Sequence, residues 1–301
     1  MNYDYVIAGG GSAGCALAAR LAENPNISVC IVEAGGKGRE LFIKMPAANG
    51  FVFGNPKLDW GYSTIPQKAL NNRSIFLARG KALGGTSIVN GMMYIRGVPT
   101  DYDNWKQIGL SGWGYADLLP YFKRAETAKH RSGAYHGATG PLKVEESVNF
   151  GEIDKAFIEA AISAGHKHLD DFNACDRTGV GRSDSTIKRG VRQSSAIAYL
   201  QKRPNNLKVL TRRHIAKILF DQKRALGIET TNGEIIKANR EVIVCQGAFG
   251  TPHLLMLSGL GPADHLISHG INPIVNLPGV GQNLADHLDI PMQYASDRMD
   301  L

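Results

Sequence analysis

Short apolar runs that end in glycine or in a carboxylate are the dominant pattern of this chain. The first run, residues 5–8, opens directly into the glycine-rich residues 9–14, and small residues continue to position 21. The next run, residues 29–32, ends at Glu33. Continuous apolar runs of this length are typical of parallel strands buried on both faces. The pattern therefore predicts a strand, a helix and a second strand, which together form a βαβ unit.

The glycine spacing of this unit is that of a dinucleotide-binding turn. Gly9 allows the tight turn after the strand, Gly11 lets the backbone approach a pyrophosphate, and Gly14 lets the helix lie against the sheet. Unpaired amides and the positive end of the helix dipole then point at the anion. Glu33 follows Gly14 by 19 positions, where a carboxylate can accept both ribose hydroxyls and repels a 2′-phosphate. The predicted ligand is therefore FAD or NAD and not NADP.

Helices are predicted at three further places. Residues 111–129 are periodic but contain Pro120, so we expect a helix that is interrupted there. Residues 151–165 carry a continuous helical period, and Ser194 is a suitable N-cap for a short helix that follows it.

Strands dominate the second half of the chain. Residues 207–210, 216–220 and 227–229 predict a β-meander. Residues 241–245 predict a third buried strand, and Thr251 with Pro252 after it predicts the start of a helix near the end of that strand. Ligands of α/β proteins bind at such strand ends.

A second glycine-rich segment covers residues 79–93. It contains four glycines with hydroxyl side chains between them. So little side-chain bulk suits a backbone that presses against a flat or anionic ligand. Taken alone, the segment favours a plain glycine-rich loop.

Composition sets the class of protein. The chain has 301 residues, of which 43% are hydrophobic and 20% charged, which predicts a globular protein with about two domains. No apolar stretch approaches the roughly 20 residues of a membrane span, and the first strand begins too soon for a signal peptide. We therefore expect a cytoplasmic protein. The four cysteines are scattered without a C-x-x-C pair, so neither disulfides nor a metal site are expected.

The formal net charge of +7 raises the question of an anionic partner. The basic residues are dispersed, and the densest groups, residues 202–203 and 212–214, flank a predicted strand. That distribution is typical of a solvated face, so we expect no nucleic-acid partner. Weak attraction to a membrane surface stays open.

Two long segments and several short ones carry a resemblance to a known family. The long segments are residues 80–93 and residues 247–261, and shorter pieces lie between them and after them (His136-Gly137, Phe172-Asn173, Ser194-Ser195-Ala196, Asp286-His287). Together they resemble the glucose-methanol-choline (GMC) oxidoreductases, in particular the bacterial choline and long-chain alcohol dehydrogenase branch. The resemblance extends over essentially the whole chain.

The resemblance implies an α/β fold: a Rossmann-like FAD-binding domain and a second, α+β substrate domain with an antiparallel sheet that is incomplete in this chain. We expect the FAD-binding domain to be discontinuous, over 1–40, 76–100 and 200–290, with a loop-rich excursion or lid at 41–75. Residues 101–199 would form a helical and substrate-domain segment, and 291–301 the start of a truncated strand.

The resemblance also assigns site residues and a cofactor. FAD would contact two glycine-rich segments, the acid after the second strand and one backbone position in the meander (Gly9, Gly11, Ser12, Ala13, Gly14, Glu33, Leu83, Gly84, Gly85, Thr86, Ser87, Asn90, Gly91, Met92, Ile215). Some relatives attach FAD through a histidine just before the position of Asn90, where this chain has Val89. Non-covalent FAD is therefore expected.

The implied reaction is oxidation of a primary alcohol, choline-like or aliphatic, to the aldehyde by hydride transfer to flavin N5. The electrons would pass to a quinone or the respiratory chain, with O₂ as the alternative. Peripheral attachment to the inner membrane would fit the branch.

The catalytic residues of the family have no match in this chain. In the family a histidine takes the hydroxyl proton, paired with a second histidine or an asparagine in the C-terminal part of the sequence. The resemblance therefore places the catalytic pair beyond Leu301, the last residue here. No catalytic residue is assigned, and we expect little turnover from these residues alone.

Two alternatives to an FAD-dependent alcohol dehydrogenase follow from the same residues. An NAD-dependent dehydrogenase or a flavoprotein with two dinucleotide sites would need a second G-x-G-x-x-G unit, and none follows Glu33. A non-catalytic FAD-binding fragment stays open for this polypeptide. The identity of the alcohol and the oligomeric state do not follow from the sequence.

Overall fold

The structure is a computed structural model that describes residues 1–131, 133–147 and 151–287, together with 290, 292, 293 and 295. Contacts divide the chain into two compact units, one of residues 1–90 and 193–286, the other of residues 91–192 and 287–301. The domain boundaries expected from the sequence stay predictions. Most of the strand expected at 291–301 lies outside the described residues.

Leu301 also lies outside the described residues. The structure therefore contains nothing that tests the expectation of a catalytic pair beyond Leu301, and that expectation stays a prediction. The site described below is accordingly one for a cofactor, without an assigned catalytic residue.

The helices of the described part are α1 (Ser12–Leu21), α2 (Leu41–Lys44), α3 (Pro99–Gln107), α4 (Tyr115–Ala125), α5 (Glu152–Ser163), α6 (Ser195–Leu200), α7 (Gly247–Leu257) and α8 (Ala263–Ser268), with 3₁₀ turns at Pro46–Phe51, Lys68–Leu70 and Gly85–Ile88. The strands are β1 (Asn2–Ala8), β2 (Val29–Val32), β3 (Tyr62–Ser63), β4 (Phe76–Leu77), β5 (Met93–Tyr94), β6 (Glu126–Thr127), β7 (Leu142–Lys143), β8 (Glu145–Glu146), β9 (His168–Leu169), β10 (Val180–Gly181), β11 (Asp184–Ser185), β12 (Ile187–Lys188), β13 (Val191–Arg192), β14 (Leu207–Leu210), β15 (Ile215–Asp221), β16 (Arg224–Thr230), β17 (Ile235–Val244), β18 (Leu260–Gly261) and β19 (Val275–Asn276).

The first unit is built on a six-stranded sheet in the order β14-β2-β1-β17-β16-β15. The pairs β14–β2, β2–β1 and β1–β17 are parallel, whereas β17–β16 and β16–β15 are antiparallel. The predicted βαβ unit and the α/β class are thus confirmed. The ends of β1, β2 and β14 lie side by side, which is where a parallel sheet binds its ligand.

The core of this unit lies on both faces of the sheet. Val6 and Ala8 pack into one apolar cluster, and Ile7 between them packs into another. Successive strand side chains point to opposite faces, so an unbroken apolar run fills both clusters at once. One cluster includes Cys15 of α1, and the other includes Leu254 of α7.

Three expectations about single elements are wrong. The run 207–210 is β14, which pairs in parallel with β2 at the far edge and takes no part in the meander of β15, β16 and β17. The helix near Thr251 begins at Gly247, whose φ of 74° reverses the chain soon after β17. Helix α4 continues through Pro120, because α3 packs against it on both sides of the proline: Tyr102 contacts Tyr115 and Phe122.

The second unit contains a three-stranded antiparallel sheet, β5-β11-β8, and helices α3, α4 and α5. Its interior carries charge. The Glu126 carboxylate accepts hydrogen bonds from His136 Nδ1 and the Gly137 amide, both at 2.9 Å, and forms an ion pair with Arg96 at 3.0 Å. The other ring nitrogen of His136 lies 2.8 Å from Asp171. Because both ring nitrogens face carboxylates, the contacts favour the doubly protonated imidazole.

The pKa values of this cluster follow from its contacts. Burial by itself raises the pKa of Glu126, but the hydrogen bonds it accepts, above all from His136 and Tyr94, lower it from 4.5 to about 2. The hydrogen bond with Glu126 raises the pKa of His136 above 6.5, although burial opposes the change. Each partner therefore favours the charged form of the other.

These shifts predict a window of pH in which the cluster stabilises the fold fully. The contribution of Glu126 is complete above about pH 4.5 and is lost as the pH falls toward 2, whereas that of His136 is complete below 6.5 and is lost as the pH rises through its raised pKa. We expect the free energy of unfolding, measured with urea at a series of pH values, to gain most from this cluster between pH 4.5 and 6.5.

The matched variants are Glu126→Gln and Glu152→Gln. The first leaves buried charges unpaired and should cost about 3–5 kcal/mol and flatten the acid limb. The second removes an exposed pair with Lys155, which solvent screens, so stability should change little. An acid limb that is unchanged in Glu126→Gln would contradict the assignment.

Candidate functional site

In the turn between β1 and α1, glycines pack directly against backbone carbonyl groups. Gly9 has a φ of 102°, and a Cβ at that position would lie 2.6 Å from the carbonyl oxygen of Cys245. A Cβ on Gly14 would lie 2.0 Å from the carbonyl oxygen of Gly9. Both distances are far below any real contact, so the turn after β1 can lie this close to Cys245, and α1 this close to the turn, only with glycine at these positions.

Gly11 is different, because the folded protein leaves room beside it. A Cβ there would have its nearest neighbours at 3.8 Å, an ordinary van der Waals distance. Gly11 is also the N-cap of α1, where it makes no side-chain cap, and the first turn of α1 contains no acidic residue. The first amides of α1 are therefore suited to an anion that approaches past Gly11.

The second glycine-rich segment interlocks with this turn. The amide of Gly84 donates to the carbonyl of Gly10 at 2.7 Å, and a Cβ on Gly85 would lie 2.6 Å from the Cα of Gly11. Gly80 is equally constrained, since a Cβ there would lie 2.3 Å from the carbonyl oxygen of Gly85. Two glycine-rich segments that are far apart in the sequence thus form one surface at the end of β1.

Glu33 lies at the end of β2 and is 7% exposed. One carboxylate oxygen accepts the amide of Gly10 at 2.9 Å, and the other accepts the amide of Gly35 at 2.8 Å. Burial raises the pKa of Glu33, although these amide hydrogen bonds oppose the rise. A carboxylate has about four acceptor positions, more than these backbone amides use, so Glu33 can still accept a hydroxyl group of a ligand.

Ile215 lies at the start of β15, next to the loop that follows β14. It is buried, and the loop is fastened to β2: Glu33 donates its amide to Leu210 at 2.8 Å, and its carbonyl accepts the amide of Arg213 at 2.9 Å. The ends of β1, β2 and β14 therefore carry the first glycine turn, the acid and this loop in that order.

The residues predicted to bind FAD differ in exposure. Those of the first unit are exposed (Ser12, Ala13, Thr86, Asn90), half-buried (Gly9, Gly11, Gly85, Ser87) or buried (Gly14, Glu33, Leu83, Gly84, Ile215). The buried members hold the two loops together, and the others form an accessible backbone surface. This surface, defined by the exposed and half-buried set, is the candidate site.

Gly91 and Met92 belong to the second unit. Met92 is buried and has a φ of 61°, a conformation that few side chains adopt. Its carbonyl accepts the amide of Thr186 at 2.8 Å, which helps to fix that backbone.

Sequence reasoning missed several residues that shape the site. Gly10 supplies an amide to Glu33, and Gly35 does the same from the other side. A Cβ on Gly35 would lie 1.9 Å from the carbonyl oxygen of Lys81, so the loop after β2 touches the second glycine segment here. Ser87 accepts the amide of Ser195 at 2.9 Å. The consecutive glycines that begin two positions after the acid were the available signal for Gly35.

The described residues contain neither a candidate metal site of three or more ligands nor a candidate membrane span. That part of the chain contains no group of three or more His, Cys, Asp or Glu side chains placed to bind a metal ion. None of its helices has both the length and the apolar character needed to cross a membrane.

Comparison with known proteins gives a consistent result. The GMC oxidoreductase family profile matches residues 3–289. An oxygen-dependent choline dehydrogenase of Sinorhizobium fredii is 45% identical over 99% of this chain, which spans 55% of that protein's length.

Solved structures agree with the family profile. Pyridoxine 4-oxidase from Mesorbium loti superimposes with a TM-score of 0.87 at 34% identity, covering 92% of this chain and 56% of its own. A formate oxidase of Aspergillus oryzae, studied for its FAD modification, gives a TM-score of 0.86 at 32% identity, covering 95% of this chain and 52% of its own. The chain spans about half the length of each.

The steric roles of the glycines can be tested by stability. We expect Gly14→Ala to lower the free energy of unfolding by about 3 kcal/mol or more, because the new methyl overlaps the carbonyl of Gly9. Gly50→Ala is the matched control, since a Cβ there meets nothing within 4 Å, and it should change stability by about 0.5 kcal/mol or less. Urea unfolding measures both, and equal stabilities would contradict the close approach of α1 to β1.

Proposed function

The chain belongs to the GMC oxidoreductase family, and from that premise we propose that it forms the FAD-binding part of an enzyme that oxidises an alcohol. The observation that carries the proposal is the surface made by the two interlocked glycine segments at the end of β1, with Glu33 beside it at the end of β2. Backbone amides at a helix N-terminus and a carboxylate one strand away are the donor and acceptor set that a dinucleotide needs.

The residues present fit FAD. Gly11 has space where a side chain would stand, and the uncapped start of α1 offers amides to the pyrophosphate. Glu33 would accept the ribose hydroxyls of the adenosine half, and it would repel a phosphate there. The formate oxidase compared above was studied for the modification of its FAD, which supports FAD over NAD.

We propose that the cofactor is held without a covalent bond. Val89 stands where some relatives carry the histidine that attaches FAD, and its side chain is 3% exposed and has no nucleophilic atom. When bound, FAD would supply the hydride acceptor at flavin N5. The flavin contacts expected from the sequence at Asn90, Gly91 and Met92 stay a prediction.

The substrate we propose is a primary alcohol, choline-like or aliphatic, that is oxidised to the aldehyde. The name of the choline dehydrogenase relative supports the class. A quinone or the respiratory chain is the electron acceptor expected from the sequence, whereas the words oxygen-dependent in that name support O₂. A cytoplasmic location with peripheral membrane attachment stays a prediction, as does the alternative of a non-catalytic FAD-binding fragment.

The cofactor prediction is checked by absorbance. After addition of FAD and desalting, we expect the purified chain to keep a flavin spectrum and to release the flavin into the supernatant on acid precipitation. Flavin that stays with the precipitated protein would show a covalent bond. A chain that is folded by circular dichroism but retains no flavin would contradict the FAD site.

Gly11→Ala separates ligand binding from folding. The methyl has room in the protein but stands where the pyrophosphate would approach, so we expect FAD affinity to fall at least about tenfold while urea stability changes by about 0.5 kcal/mol or less. Titration with FAD and urea unfolding measure the two effects, with Gly50→Ala as the control. An FAD affinity equal to that of the unsubstituted chain would contradict the placement of the pyrophosphate beside Gly11.

A further inference from the structure

Helix α8 carries two histidines that are one turn apart. His265 lies within the helix, and His269 is its C-cap residue, four positions later. Positions i and i+4 of a helix are neighbours on one face, so the two side chains stand on the same side of α8. The centres of their imidazole rings are 4.7 Å apart, with an angle of 70° between the ring planes. Both residues are exposed, so neither belongs to the core of the first unit.

The backbone that carries the two histidines is fixed at both ends of α8. The carbonyl of Leu266, a buried residue, accepts the amides of His269 at 3.1 Å and of Ile271 at 2.9 Å. At the other end, the amide of Ala263 donates to the side chain of Asn276 in β19 at 3.1 Å. Only the side chains of the two histidines therefore need to turn for both rings to face one ligand.

The separation of the two rings matches the requirement of a single metal ion. Imidazole nitrogens bind divalent first-row metals at about 2.0–2.1 Å, and two such ligands subtend an angle of about 90–110° at the ion. Two imidazole rings bound in this way have their centres about 4.5–5.2 Å apart. The observed 4.7 Å lies within this range. The angle between the rings adjusts by rotation about the side-chain bonds, whose terminal torsion is broad in histidine.

The donor atoms select the class of ion. Neutral imidazole is a ligand for Zn²⁺, Cu²⁺ and Ni²⁺, whereas Mg²⁺ and Ca²⁺ take oxygen ligands. Asp264 directly precedes His265, so its carboxylate lies on a different side of the helix. The histidine face of α8 thus offers two nitrogens, and the other positions around a bound ion are left to water. Such a pair is smaller than the groups of three ligands that the described residues lack.

We propose that His265 and His269 form a surface site for one divalent transition-metal ion of the class of Zn²⁺, Cu²⁺ and Ni²⁺. An ion bound by both side chains bridges the last turn of α8, so its binding stabilises the folded chain. The expectation of no metal site rested on the cysteines, which take no part here. The proposal does not depend on the proposed function, because it uses no residue of the FAD site.

Titration of the untagged chain with Zn²⁺ tests the site. Zn²⁺ is the probe because it does no redox chemistry with the exposed thiol of Cys175. We expect isothermal titration calorimetry to show binding of Zn²⁺ that is weakened at least about tenfold in His269→Asn, since loss of even an outer-shell partner costs about that much. Mg²⁺ should not displace the bound Zn²⁺.

A double variant separates the geometry of the pair from the number of histidines. Ile267→His together with His269→Asn keeps nine histidines, but the introduced side chain is two positions from His265 and lies on a different side of the helix. Ile267 is 62% exposed, so the fold tolerates a polar side chain there. This double variant should bind Zn²⁺ as weakly as His269→Asn does.

His166→Asn is the matched control. His166 is also exposed, but it belongs to the second unit, and no histidine stands four positions from it. This variant should bind Zn²⁺ with the affinity of the unsubstituted chain.

Urea unfolding gives a readout that does not involve FAD. Saturating Zn²⁺ should raise the urea midpoint of the unsubstituted chain and of His166→Asn, and should leave that of His269→Asn unchanged. The proposal is wrong if the folded chain binds no Zn²⁺, or if His269→Asn or the double variant binds Zn²⁺ as tightly as the unsubstituted chain. FAD titration of the same variants should give equal affinities, so a failure of the metal site is distinguished from a failure of the FAD site.

Discussion

The close approach of two glycine-bearing loops is the constraint on which the first unit depends. Gly14 admits the carbonyl of Gly9 where a methyl would stand, and Gly85 admits the Cα of Gly11 in the same way. Because these contacts are backbone to backbone, no change of side-chain rotamer can relieve them. They hold α1, the end of β1 and the second glycine segment in one arrangement, and the amides that face a ligand are fixed as a result.

Glu33 extends this arrangement to the next strand. Its two oxygens accept amides from either side, from Gly10 in the first turn and from Gly35 in the loop after β2. The same carboxylate that is proposed to bind ribose therefore also joins the first glycine turn to the loop after β2. These two amide hydrogen bonds explain why the acid is buried although its proposed partner is a ligand.

The two units are stabilised by different kinds of interaction. The first buries continuous apolar strands between helices, and its stability depends little on pH through that core. The second places Arg96, Glu126 and His136 together in its interior, where each charge is supported by the others. Loss of one partner would leave the rest desolvated and unpaired, so this unit is the more sensitive to acid and to alkali.

The sequence by itself determined the βαβ unit, the helix at 152–163 and the residue types of the nucleotide turn, because these depend on local periodicity and on glycine spacing. It did not determine that 207–210 pairs with β2, that α4 runs through Pro120, or that Gly85 meets Gly11. Each of these depends on contacts between residues far apart in the chain: strand pairing, aromatic packing and backbone crossing. Only the tertiary structure brings such residues together, and Trp60, which no local motif marks, comes to lie beside His214 for the same reason.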